Sequence, residues 1–126
     1  IWGGSVLAAR ASRRIAEAIR RATGRPALAA DASELATLLS AVKARDPFAD
    51  PFESEAEVRP VLLMLDDDGP QSRLGELARS LRDRAEAVGV RVARISSGDG
   101  EVELRAGDVE RYVTLLQRGL YGAAYL

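Results

Sequence analysis

The chain has 126 residues, 18 basic against 19 acidic, a formal net charge of −1 and 47% hydrophobic content. That is enough for one domain with its own core, and too balanced a charge to gather nucleic acid or an anionic membrane. Cysteine and histidine are both absent, which excludes disulfides, thiolate zinc sites, cysteine nucleophiles and every Ser-His-Asp arrangement. Lysine occurs once, at Lys43, so arginine supplies nearly all the positive charge. Arginine stays protonated and binds anions rather than abstracting protons.

The opening, Ile1-Trp2-Gly3-Gly4-Ser5, reads as a strand end, a glycine turn and a helix start. Such a turn aims backbone N–H groups and the positive end of a helix dipole at one point, which suits phosphate. The same glycines also let a strand and a helix pack closely, and Ser5 also suits a helix cap. Because the chain begins inside this pattern without a methionine, it is expected to be a piece of something larger.

Periodicity predicts a first helix from Ser5 to Thr23, with Leu7, Ala11, Ile15, Ala18, Ile19 and Ala22 on its apolar face. Gly24 and Pro26 stop it. Residues 27–30 then suggest a short buried strand. Asp31 and Glu34 have the spacing of a capping box and start a second helix through Leu35, Leu38, Leu39 and Val42. The stretch 45–55 is irregular, its repeated Asp-Pro-Phe reading as two turns anchored by aromatics.

Residues 60–65, Pro-Val-Leu-Leu-Met-Leu, are apolar at every position, as in a parallel strand covered on both faces. Asp66, Asp67 and Asp68 follow at the edge where open α/β sheets bind ligands. They could hold Mg²⁺ for phosphoryl transfer, or form a solvated acidic turn favourable to the next helix dipole. That helix is predicted over 72–88, with Leu74, Leu77, Ala78, Leu81, Ala85 and Val88 inward and Gly89 closing it. Residues 90–95 alternate as a strand, 96–100 form a turn, and 101–105 a short extended piece. A last helix from Asp108 should bury Val109, Tyr112, Val113, Leu116, Leu120 and Ala124. Strands alternating with helices predict a three-layer α/β/α sandwich around a parallel sheet, in one domain spanning 1–126.

In this order the elements resemble the SIS (sugar isomerase) domain, specifically the C-terminal half of bacterial and archaeal bifunctional phosphoglucose/phosphomannose isomerases. The likeness is carried by residues 1–14, by Arg25-Pro26-Ala27, and by Gly119-Leu-Tyr-Gly-Ala-Ala-Tyr-Leu126 with residues 111–117 ahead of it. The resemblance implies a phosphosugar-binding domain packed against an N-terminal SIS domain, in the same or a separate chain, or against a second copy as a homodimer. It also implies no cofactor and no metal. Its expected ligand-binding residues here are Gly3, Gly4, Ser5, Arg13 and Arg21, with Thr37 near the inherited site.

This sequence departs from the family where the chemistry resides. Arg21 stands where the resemblance places the glutamate base, and Ala36 and Thr37 stand where Asn and His follow Glu34 and Leu35. The family's lysine falls beyond the closing helix, and its Ser/Thr phosphate loop belongs to the other SIS domain. A protonated guanidinium has no lone pair to offer as a base. No catalytic residue is assigned, and the chain alone is expected not to isomerise a sugar. The alternatives are a structural or regulatory interaction module without a ligand, and a Mg²⁺-dependent phosphotransfer domain using Asp66 to Asp68. With no secretory leader pattern and no apolar run of spanning length, the expected location is cytoplasmic.

Overall fold

The computed structural model describes residues 1–42, 60–67, 72–98 and 107–125, with the backbone alone at 72–74. The expected turns of 45–55 and the extended piece of 101–105 lie outside the described residues, as does Asp68. Among those described, strands β1 (Trp2–Gly3), β2 (Val61–Asp66) and β3 (Arg91–Ser96) form one parallel sheet with β2 in the middle. Trp2 lies opposite Met64, and β2 pairs with β3 from Val61–Arg91 to Asp66–Ser96. Four helices accompany them: α1 (Val6–Thr23), α2 (Ala32–Ser40), α3 (Ser72–Ala87) and α4 (Asp108–Tyr125). The molecule is thus a small α/β fold.

Alternation along β2 organises the core, because successive side chains leave a strand on opposite faces. Leu62 and Met64 join Trp2, Leu35 and Leu39 of α2, and Leu81 and Ala85 of α3. Leu65 joins Ala8, Ala11 and Ile15 of α1 and Leu115 of α4, with Leu63 and Ile95 packed alongside. Removing a fully buried Leu or Met side chain from water contributes about 1.5–3 kcal/mol, so the apolar run of β2 anchors both clusters.

Local chemistry sets the helix ends. Ser5 caps α1 by accepting the Ala8 N–H at 3.1 Å, and Gly24 closes it with a left-handed φ of 68°. At α2 the capping box is complete: Asp31 accepts from the Ser33 and Glu34 N–H groups at 2.8 and 2.9 Å, while Glu34 accepts the Asp31 N–H at 3.1 Å. The carboxyl of Asp31 is held below its ordinary pKa, chiefly by the Glu34 N–H and then by the Ser33 hydroxyl.

Three expectations are corrected. Residues 27–30 form no strand: Leu28 accepts from the Ile1 amino group at 2.5 Å and Ala30 N–H reaches the Ile1 carbonyl at 3.2 Å, but no ladder continues. Alanines bring little cross-strand packing, and Leu28 stays exposed. Leu77 of α3 is also exposed, the inward face being carried by Leu81 and Ala85. In α4 the buried residues are Leu115, Gly119 and Ala123; of the expected stripe, Tyr112 and Leu116 pack half-buried against the α1 cluster, whereas Val109, Val113 and Leu120 stay exposed. The reason is a close helix crossing. A Cβ at Gly119 would sit 2.1 Å from Cδ1 of Ile15, so α1 and α4 cross closely at this glycine, with Leu115 packed beside Ile15 in the same cluster.

Candidate functional site

Three places hold the expected ligand-binding residues, and the structure does not join them. The first is the turn from β1 into α1. A Cβ at Gly3 would lie 2.2 Å from the Ala8 carbonyl carbon and 2.4 Å from the Ala9 nitrogen, so only glycine lets the strand pass this close under the helix. Ser5 accepts from Ala8 N–H and its hydroxyl donates to the Asp67 carboxylate. A carboxylate therefore already lies at the positive end of α1, where an added phosphate would meet like charge. Glycine packing explains Gly3, and capping explains Ser5.

The strand ends beside this turn are braced. Arg94 pairs with Asp66 at 2.6 Å, and Arg118 of α4 donates to the carbonyls of Ser96 at 2.7 Å and Gly98 at 3.2 Å. Asp66 and Asp67, considered for Mg²⁺, thus turn to different partners, Arg94 and Ser5. Among the described residues, no three acidic side chains gather in metal-binding geometry.

The second place is the outer side of α1, which carries Arg13 and Arg21. Arg10, Arg13, Arg14 and Glu17 line a shallow groove of about 410 Å³ with Tyr112 of α4. It adjoins a second groove of about 370 Å³, walled by Arg14, Ala18 and Arg21 on one side and Leu116 and Leu120 on the other. Glu17 accepts from Arg21 at 2.7 Å and lies 3.8 Å from Arg14. Among the described residues, Arg10 and Arg13 have no ion-pair or hydrogen-bond partner. Arg21 stands at the far end of α1 from Ser5, roughly 24 Å away at 1.5 Å rise per residue, so one small ligand cannot touch both.

The third is Thr37, whose hydroxyl donates to the Ser33 carbonyl at 3.0 Å. It sits on α2, which packs with the Leu62 and Met64 face of the sheet, while α1 packs with the Leu65 face. Arg21 and Thr37 are therefore separated by the sheet.

Sequence reasoning did not single out Tyr112 as a groove wall or Arg118 as the brace of the β3 end. In sequence Tyr112 is one of three C-terminal tyrosines, with Tyr121 and Tyr125, that read as an aromatic binding surface or as core or interface packing, and nothing local marks Arg118. Among the described residues, no helix is long and apolar enough to cross a membrane. The chain has no significant match among protein families, curated proteins or solved structures.

Proposed function

We propose that the chain is an SIS-type domain, layered as an α/β/α sandwich, that holds a phosphorylated sugar without isomerising it. The observation that carries this is the groove of about 410 Å³ where Arg10, Arg13 and Arg14 converge beside Tyr112 and Glu17. Guanidinium forks match phosphate oxygens, while the phenol and the carboxylate offer partners for sugar hydroxyls. A pocket of this size lies within the range used for small ligands. The phosphate belongs here rather than at the glycine turn, because Asp67 occupies that turn. The absence of isomerisation follows from the residues: Arg21 carries no base, and Thr37 is across the sheet from it. The reading includes a cytoplasmic setting and a partner, either a second SIS-type domain or another copy of this chain.

A thermal-shift titration tests the proposal, because a ligand that binds only the folded state raises stability by RT ln(1 + [L]/Kd). Fructose 6-phosphate should stabilise the protein well beyond inorganic phosphate or fructose, and Arg13→Gln should remove that difference. Equal shifts from fructose 6-phosphate and inorganic phosphate would sink it. The second reading, an interaction module with no small ligand, is favoured by one observation: Val109 and Val113 of α4 are 75% and 51% exposed.

A further inference from the structure

The most apolar arc of α4 is not the one it buries. At about 100° per residue, Val109, Val113, Leu116, Leu120 and Ala124 fall within roughly 80° of one another. That arc lies about a quarter turn from the buried Leu115, Gly119 and Ala123. Val109, Val113 and Leu120 are 75%, 51% and 41% exposed. Leu116, between Val113 and Leu120 on this arc, is half-buried against the α1 cluster. The exposed valines and Leu120 thus extend an apolar surface that starts in the core, and exposed apolar surface of this kind marks an interaction site. Its edge continues into the groove of about 370 Å³, where Leu116 and Leu120 face Arg14 and Arg21 of α1. The two side chains of that arginine wall are 71% and 79% exposed, and Glu17 is the acidic residue between them.

We infer that the α1–α4 groove docks an acidic amphipathic helix from a partner, its apolar ridge on Leu116, Leu120 and Val113 and its carboxylates on Arg14 and Arg21. The cleft between two packed helices accepts a third helix as ridge into groove, and anchors at i, i+3, i+4 and i+7 match an apolar stripe of this length. Charge selects the partner's sign, because an acidic flank meets the arginine wall and a basic flank is repelled by it. The inference rests on the partner reading above and adds the chemistry of what the partner presents. The two grooves share Arg14, so sugar binding is read separately with Arg13, which lines the first groove and not the second.

The test is fluorescence anisotropy with two labelled synthetic helical peptides of about 18 residues, both with leucine at helical spacing, one with glutamate and one with lysine elsewhere. The glutamate peptide should bind the wild-type protein and the lysine peptide should not. Leu120→Asp should weaken glutamate-peptide binding at least tenfold. The double variant Arg14→Glu/Arg21→Glu should reverse the preference, and circular dichroism confirms that each variant keeps its helices. Equal binding of both peptides, or failure of the glutamate peptide to bind, overturns the inference. If both peptides bind alike yet Val113→Glu dissolves a dimer seen by sedimentation, the partner reading stands and the groove belongs to a second copy of this chain. Selective binding to anionic lipid vesicles with no peptide binding would assign the surface to a membrane instead.

Discussion

The Ser5 hydroxyl donates to the Asp67 carboxylate while accepting the Ala8 N–H, so one side chain caps α1 and ties it to the end of β2. Losing this cap exposes an orphan helix N–H and leaves Asp67 without its Ser5 donor. Ser5→Ala should cost about 1 kcal/mol, within the 0.5–2 kcal/mol typical of N-caps. Urea unfolding should show the loss with an unchanged m value. The fructose 6-phosphate shift should survive this change, since the turn is not where the phosphate sits.

Gly119 and Gly3 are both close contacts, but they should respond differently to alanine. At Gly119 the obstacle is the Ile15 side chain, 2.1 Å from the new Cβ, and Ile15 is fully buried with nowhere to swing. Gly119→Ala should be net destabilising by about 1–3 kcal/mol through overpacking, despite the better helix propensity of alanine. Adding Ile15→Val removes Cδ1 and should recover part of the loss, a non-additivity that a double-mutant cycle reads directly. At Gly3 the obstacle is the backbone of Ala8 and Ala9, so Gly3→Ala should cost more, and Ile15→Val should not relieve it.

Stability should fall in acid partly through Asp31. Its folded pKa lies below the value of roughly 3.9 expected in an unfolded chain, because the Glu34 N–H and then the Ser33 hydroxyl favour the carboxylate. A depressed pKa contributes stability above the unfolded pKa, and that contribution is lost as pH falls through the folded pKa. Between pH 6 and pH 3, by thermal melts, Asp31→Asn should therefore lose less stability than the wild-type protein. Identical slopes would mean that the cap carries no such linkage.

Arg21→Glu restores a carboxylate at the position where the family resemblance expects one. It should produce no glucose 6-phosphate to fructose 6-phosphate conversion in a coupled assay, since Thr37 supplies no imidazole and lies beyond the sheet from α1. The variant also places two carboxylates at i and i+4, so a loss of a few tenths of a kcal/mol is expected. Detectable turnover would show that the chain retains chemistry not visible in these residues.

Local chemistry was legible in the sequence by itself. Ser5, Gly24, Asp31 and Glu34 act at backbone groups within a few residues, so both ends of α1 and the start of α2 follow from spacing alone. The continuous apolar run of β2 likewise announced a strand covered on both faces, and Leu62 and Leu65 are buried in opposite clusters. The parallel alternation of strands and helices followed from these runs and their spacing.

What only the tertiary structure decided depended on which surfaces approach one another. The most apolar arc of α4 reads as its inward face, yet the helix turns Leu115, Gly119 and Ala123 inward, and at Gly119 the close approach of Ile15 leaves no room for a side chain. Asp67 reads as part of a solvated acidic turn or as a metal ligand until the fold brings it beside Ser5, far away in the chain. A helix spreads its residues along its axis, so Arg13 and Arg21 of α1 line two adjoining grooves that meet at Arg14, while Ser5 and Thr37 lie elsewhere. Spacing specifies hydrogen bonds within a turn of helix, whereas the partners of a side chain across the fold are set by packing, which no local pattern encodes.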